Sequence, residues 1–252
     1  MTDSTMQTQG QPAVLQMRPF TVEELKWETP NTFTLVLVPE AGVEMIQFKP
    51  GQWVYMHLLN QDGSSWARAA FSIATSPEES TQKLELGVKI YGDYTKRASH
   101  LIPGDRVMLQ GPFGVFTLHE GVTPLVMFAG GIGITPFRGM IRALAQQKSS
   151  TQVILFYSNK RVEDIAYFDD LRRIDEAWPG LTLVHTLTEH APSGWDGEIG
   201  RLDGAMLKRH YADFDRGEFL MCGPPEFMKV IEGLLAAEGV DTKKRLRKEL
   251  FG

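Results

Sequence analysis

The pattern of apolar residues changes near residue 121, and this change limits how the chain can fold. Before it, short segments of alternating apolar and polar residues lie between turn residues, at 32–38, 52–58, 71–74, 84–90 and 107–110. After it, apolar runs at 124–129, 153–157, 181–187 and 218–222 alternate with stretches of helical spacing at 136–147, 164–174 and 225–238. Short strands joined by turns are typical of an antiparallel barrel or sandwich, whereas strands alternating with helices are typical of a parallel sheet. The sequence therefore predicts an all-β antiparallel barrel followed by an α/β parallel-sheet domain.

The length of 252 residues is enough for two modest domains. We expect a disordered tail rich in Gln, Thr and Ser at residues 1–15, a barrel domain at 16–119 and an α/β domain at 120–252. Within the barrel region, helical spacing occurs only around residues 96–101.

Charge and hydropathy exclude several classes of partner. The net charge of -5 gives no reason to expect nucleic acid or an anionic membrane. No apolar run approaches the roughly 18 residues that a membrane span needs. Residues 1–16 lack the charged and apolar regions of a secretory signal, so the expected compartment is the cytoplasm.

Cys222 is the single cysteine of the chain. One cysteine excludes an internal disulfide and an iron–sulfur cluster held by four thiolates of this chain. The six histidines show no metal-ligand spacing, so we expect no metal site.

A glycine-rich loop follows the first apolar run of the second half, with the sequence Gly130-Gly131-Ile132-Gly133-Ile134-Thr135-Pro136. Glycines permit positive φ and a close approach of the backbone to a pyrophosphate. Thr135 is expected to cap the following helix and Pro136 to lie in its first turn, where free N–H groups face the phosphates. The alternative is a glycine turn that serves only strand–helix packing.

A second loop, Cys222-Gly223-Pro224-Pro225, follows the fourth apolar run. The carboxyl ends of parallel strands meet at one edge of the sheet, where ligands bind. Both loops are therefore expected at that edge, with Gly223 admitting a planar ring and Cys222 lining the site. The alternative for Cys222 is a buried structural cysteine.

In the barrel region, Arg68-Ala69-Ala70-Phe71-Ser72 leads into a strand, and Thr95 follows Gly92 in a Gly-x-x-Thr segment. Thr95 is placed to offer backbone N–H and hydroxyl groups to a phosphate. The alternatives are a solvated arginine, a Phe–Ser pair divided between core and surface, and an ordinary threonine turn.

Seven motifs in one order resemble those of the ferredoxin–NADP reductase family, with its flavin reductase and oxygenase reductase relatives, over residues 18–252. They are Pro50-Gly51-Gln52, Phe71-Ser72, Gly92-x-x-Thr95, Pro103-Gly104-Asp105, Gly111-Pro112-Phe113-Gly114, the 130–136 loop and the 222–225 loop. The resemblance implies FAD on the barrel and NAD(P)H on the α/β domain, with hydride transfer between the nicotinamide and flavin N5.

The resemblance also assigns roles to single residues. Members of the family carry Arg-x-Tyr-Ser, whose arginine meets the flavin phosphates. Here Phe71 would stack on the flavin ring and Ser72 would hydrogen-bond near N5, while Arg68 stands one residue away from the family position. The remaining implied contacts are Gly92 and Thr95 to the flavin pyrophosphate, Gly130, Gly131, Gly133, Thr135 and Pro136 to the dinucleotide, Cys222 and Gly223 to the nicotinamide, and Phe251 as a shield on one flavin face.

Three functions follow from these expectations. The first is a reductase that passes electrons to a separate carrier such as ferredoxin, flavodoxin or an oxygenase component, because the chain shows no cysteine cluster of its own. The second is a flavin reductase that releases reduced flavin, and the third is an electron-transfer subunit of a larger complex. The choice between NADH and NADPH stays open: Lys160 and Arg161 suit a 2′-phosphate, but residues 186–189 contain no arginine.

Overall fold

The computed structural model describes residues 15–119, 121–122 and 124–250, which form two six-stranded sheets in succession along the chain. The expected tail lies outside the described residues apart from Leu15. The first sheet lies within residues 17–113 and the second within residues 125–249. Among the described residues, no helix has the length and apolar character needed to cross a membrane.

The first sheet is antiparallel throughout, in the order β4-β3-β6-β1-β2-β5. Its strands are β1 (Met17–Thr29), β2 (Thr32–Pro39), β3 (Trp53–Leu59), β4 (Ser65–Ser72), β5 (Leu84–Lys89) and β6 (Arg106–Phe113), and helix α1 (Gly92–Ala98) lies between β5 and β6. An isolated bridge between Ile73 and Leu86 joins the edge strands β4 and β5, so the sheet curls into a barrel. The inward side chains of alternating strand positions form one apolar core inside it.

The predicted barrel is confirmed, although two of its elements differ from expectation. Strand β4 begins at Ser65 instead of residue 71 and ends at Ser72. Helix α1 spans Gly92–Ala98 instead of residues 96–101, because the chain already turns at Gly92, where φ is +76°.

The second sheet is parallel, in the order β10-β9-β8-β7-β11-β12. Its strands are β7 (Leu125–Gly130), β8 (Val153–Asn159), β9 (Leu181–Leu187), β10 (Glu198–Ile199), β11 (Glu218–Cys222) and β12 (Leu246–Glu249). The helices are α2 (Ile134–Gln146), α3 (Phe168–Ala177), α4 (Gly204–His210), α5 (Pro225–Ala237) and α6 (Thr242–Arg245), with single 3₁₀ turns at Gly131–Gly133 and Val162–Asp164. Apolar cores on both faces of the sheet confirm the predicted α/β class.

The strand order reverses between β7 and β11. From β7 the chain proceeds through β8 and β9 to one edge, and it then returns to place β11 and β12 on the other side of β7. Ligands of open α/β sheets bind at such a switch point, outside the carboxyl ends of the strands. The fold therefore directs attention to the loops that follow β7 and β11.

Candidate functional site

The loops after β7 and β11 touch backbone to backbone at the switch point. A Cβ added to Gly133 would lie 2.2 Å from the Cys222 carbonyl oxygen and 2.9 Å from the Gly223 Cα. A Cβ added to Gly130 would lie 3.0 Å from Pro224. These glycines are required because no side chain fits between the two loops. The structure thus brings together the 130–136 and 222–225 segments, as predicted.

Gly131 differs from its neighbours because it faces open space. It has a φ of +53°, and a Cβ added there would meet only the Lys89 Nζ, at 4.0 Å. Lys89 ends β5 of the barrel, so an ammonium group of one domain stands beside the glycine loop of the other. The sequence interpretation did not single out Lys89, and an exposed lysine at a strand end gives little signal by itself.

The start of α2 differs from expectation in one detail. The helix begins at Ile134 directly after the 3₁₀ turn, Gly133 occupies the N-cap position, and no side chain caps it. Thr135 is therefore not the cap; its hydroxyl donates to the Ile132 carbonyl over 3.0 Å. Pro136 lies in the first turn, where its missing N–H costs no helical hydrogen bond, as expected.

Cys222 is the last residue of β11 and is fully buried. It pairs in register with Ala129 of β7 and with Glu249 of β12. Burial, with a smaller contribution from the Glu249 charge, raises the pKa of the Cys222 thiol well above its ordinary value. Burial also raises the pKa of Glu249. The cysteine is therefore a neutral thiol at physiological pH, suited to packing and not to nucleophilic attack.

On the barrel, Phe71 and Ser72 end the edge strand β4, and both are buried. Phe71 lies 6.0 Å from the Tyr94 ring of α1, centroid to centroid, and Tyr94 stacks against Trp66 at 6.2 Å. Among the described residues the Ser72 hydroxyl has no hydrogen-bond partner, and its oxygen is not one of the fully buried polar atoms left unpaired. It is therefore open to a bound ligand.

Gly92 and Thr95 form the turn that opens α1. The Thr95 hydroxyl accepts a hydrogen bond from the Tyr91 N–H at 2.6 Å and donates to the Gly92 carbonyl at 3.3 Å. A Cβ added to Gly92 would meet nothing within 4 Å, so the turn is open to one side.

Arg68 lies on the opposite face of β4 from Phe71. Its guanidinium carbon is 4.3 Å from the centre of the Tyr55 ring, and Nη1 donates to the Gln110 Oε1 at 3.3 Å. Successive side chains of a strand alternate between faces, so two residues three positions apart point to opposite sides. The structure does not bring Arg68 to the same face as Phe71, and its phosphate contact stays a prediction. Phe251 lies outside the described residues.

Strand β5 connects the two parts of the site. Ile73, next to Ser72, bridges to Leu86 of β5. A Cβ added to the adjacent Gly87 would lie 2.4 Å from the Cγ2 atom of Thr135. The strand end that carries Ser72 is thus linked through two residues of β5 to the first turn of α2.

Two family models match this chain. The Oxidoreductase FAD-binding domain matches residues 19–118, and the Oxidoreductase NAD-binding domain matches residues 127–233. The chain belongs to the ferredoxin–NADP reductase family. The two matched domains confirm FAD and a nicotinamide dinucleotide as the cofactors expected from the sequence.

Individual members of the family are only distantly similar. The propane 2-monooxygenase reductase component of Rhodococcus jostii is 30% identical over 212 residues, which is 81% of this chain and 55% of that protein. The FAD/NAD-binding domain of nitric oxide dioxygenase from Vibrio cholerae superposes with a TM-score of 0.83 at 24% identity, covering 93% of this chain and 98% of that one. A ferredoxin NADP+ reductase from Neisseria gonorrhoeae, determined with bound FAD and NADP, gives 0.76 at 21% identity, covering 93% and 98%.

The residues of this chain fit both cofactors of the family. The free Ser72 hydroxyl, the buried aromatic Phe71 and the open turn at Gly92 provide the kinds of contact that a flavin needs. The open backbone at Gly131, the start of α2 and the Lys89 ammonium provide positive potential for a pyrophosphate.

Proposed function

We propose that this protein transfers electrons from NAD(P)H, through FAD held along the β4–β5 edge of the barrel, to a separate protein carrier such as an oxygenase component, a ferredoxin or a flavodoxin. The observation that supports the proposal is the link through β5, in which Leu86 bridges to Ile73, the residue after Ser72, and Gly87 lies against Thr135 in the first turn of α2. A flavin held there would supply the hydride-accepting atom N5 for the nicotinamide. The protein has to supply positions, charge and exclusion of water.

Each residue has a defined task in this proposal. Phe71 packs against one part of the flavin ring, and the Ser72 hydroxyl hydrogen-bonds near N5. The turn from Gly92 to Thr95 holds the flavin phosphates. Gly131 and Gly133, with the N–H groups that begin α2, hold the pyrophosphate of the dinucleotide, and Lys89 adds a charge-assisted hydrogen bond from the barrel. Cys222 and Gly223 border the space for the nicotinamide.

The identity of the acceptor rests on the relatives. The propane 2-monooxygenase reductase component has an oxygenase as its partner by name, and this chain spans 55% of its length. The described residues contain one cysteine, Cys222, and it is buried and free. These residues therefore hold no set of thiolates for an iron–sulfur cluster, which supports an electron acceptor outside them.

An absorption spectrum of the purified protein tests the proposal. We expect a bound flavin spectrum that bleaches when NADH or NADPH is added without oxygen, and that recovers when a [2Fe–2S] ferredoxin or a flavodoxin is added in the oxidised state. A colourless protein that oxidises NADH only after free FAD is supplied would identify flavin as a released substrate instead. A flavin that neither dinucleotide bleaches would refute the proposal.

A further inference from the structure

Arg138 is a buried arginine that joins the two domains. It lies in α2, one turn after Ile134, and is 6% exposed. On the barrel side, its Nη1 donates to the Ala74 carbonyl at 3.0 Å and to the Glu85 carboxylate at 2.6 Å. On the α/β side, its Nε donates to the Asp170 carboxylate at 2.8 Å. One guanidinium therefore holds a strand end and β5 of the barrel against α2 and α3.

The charge arrangement makes this contact specific. A buried guanidinium is tolerated only where its hydrogen-bond donors are paired, and here the partners come from both domains. Separating the domains would remove Ala74 and Glu85, two of the three hydrogen-bond partners of Arg138, and would leave Asp170. A lysine cannot replace it, because an ammonium lacks the planar fork that reaches several acceptors at once.

The backbone around Arg138 leaves almost no space between the domains. A Cβ added to Gly139 would lie 2.9 Å from the carbonyl oxygens of Ile73 and Thr75. The backbone of α2 at Gly139 therefore packs directly against residues 73–75, which follow Ser72. Because α2 begins immediately after Gly133, the same helix carries the dinucleotide loop at its other end.

We propose that Arg138 is a positioning residue for hydride transfer, which holds α2 and residues 131–135 in register with the strand end that carries Ser72. This inference rests on the proposed function. Hydride transfer requires donor and acceptor atoms about 3–3.5 Å apart, and a displacement of about 1 Å can cost about a hundredfold in rate. A helix held by its own side chain to Ala74 and Glu85 has little freedom for such a displacement.

Arg142 provides a matched control. It lies one turn further along α2, shares the Asp170 carboxylate at 2.8 Å and pairs with Glu79 of the barrel domain, its Nε donating at 2.7 Å. It therefore has the same chemistry and also links both domains, but its barrel partner lies seven residues beyond Ser72. Arg138→Lys and Arg142→Lys each remove one guanidinium group that links the domains, at different distances along the chain from Ser72.

The experiment compares both variants with the parent protein in two measurements. The first is the rate of flavin reduction after anaerobic rapid mixing with NADH or 4-deuterated NADH, over a range of concentrations. The second is amide hydrogen exchange of peptides that cover residues 131–139, without added dinucleotide. For Arg138→Lys we expect a limiting rate lower by about tenfold, a larger isotope effect, an NADH dissociation constant within about twofold of the parent and faster exchange in these peptides.

Arg142→Lys should change neither the limiting rate nor the exchange of residues 131–139 by more than about twofold. Equal losses in both variants, or a parental rate and exchange in Arg138→Lys, would overturn the inference. If Arg138→Lys does not fold, Glu85→Gln removes the charged barrel partner and is read by the same criteria. A parent protein whose flavin is not reduced by either dinucleotide would refute the proposed function instead, and the exchange measurement would still judge the positioning role.

Discussion

The contact between Gly133 and the Cys222 carbonyl allows a direct test of how the two loops at the switch point work together. In Gly133→Ala the new methyl carbon would lie 2.2 Å from that oxygen, whereas ordinary contact begins at 3.4 Å. The obstacle is backbone and cannot rotate away, so the loops must separate by about 1 Å. Overpacking of this kind costs about 1–3 kcal/mol, which for a chain of this size lowers the melting temperature by roughly 2–12 °C.

The functional effect should be confined to the dinucleotide. The clash lies within the α/β domain, so the purified variant should keep its flavin and its visible spectrum. Because the 130–136 loop is displaced by about 1 Å, the rate of flavin reduction by NADH or NADPH should fall about a hundredfold. Rapid-mixing absorbance measures the rate, and differential scanning fluorimetry measures the melting temperature.

Gly233→Ala is the matched control. Gly233 lies within α5, and a Cβ added there would meet nothing within 4 Å. Alanine is favoured over glycine in a helix interior by about 1 kcal/mol, so this variant should melt slightly higher and reduce flavin at the parental rate. Parental stability and parental reduction rate in Gly133→Ala would refute the interpretation that the two loops must touch.

Three further predictions concern single side chains. Ser72→Ala should slow flavin reduction by NAD(P)H with little loss of bound flavin, and an unchanged rate would contradict its place near N5. Glu189→Gln should raise kcat/KM for NADPH relative to NADH by roughly tenfold. The reason is that Glu189 pairs with the Lys160 ammonium at 2.8 Å and the Arg161 guanidinium at 3.7 Å, and its loss would free both cations for the 2′-phosphate of NADPH. An unchanged ratio would mean that the 2′-phosphate binds elsewhere. Burial alone would raise the pKa of Asp170, but Arg138 and Arg142 hold that pKa below the ordinary 3.8. The ionised Asp170 carboxylate therefore stabilises the folded state above pH 3.8, and this stabilisation is lost as the pH falls through the lowered pKa of the folded protein. Urea unfolding at neutral pH and at about pH 3 should therefore show a smaller acid loss in Asp170→Asn than in the parent, and equal losses would count against the pairing.

The bounds of β9 and β11 agree with the segments predicted at 181–187 and 218–222. Every residue of β11 is buried, as is typical of a strand inside a parallel sheet, whereas β9 has one exposed residue, Thr182. Strand β12 was missed because Leu246–Glu249 contains one buried position and three polar residues. Its strand conformation comes from parallel pairing with β11, which no local pattern encodes.

The site was predictable where a glycine or a turn marks it. Gly131, Gly133 and Gly223 came from loops between a strand and a helix, and the fold brings them to one edge. The expected cap at Thr135 was wrong, because the 3₁₀ turn at Gly131–Gly133 leads into the helix without an extended residue that could cap it. Lys89 and Gly87 gave no signal, since their importance comes from the domain packed against them.

The position of Arg68 shows that the two-residue period of a strand determines which face of β4 a side chain occupies. An arginine two residues before Phe71 would share its face, whereas one three residues before it must face away. The structure places Arg68 over Tyr55, as this parity requires. The motifs therefore describe what each domain can bind, but the relation between the domains depends on residues outside them. A glycine at position 87 or 139 and an arginine at 138 look ordinary in the sequence, and their role follows from the acceptors and backbone that the other domain supplies.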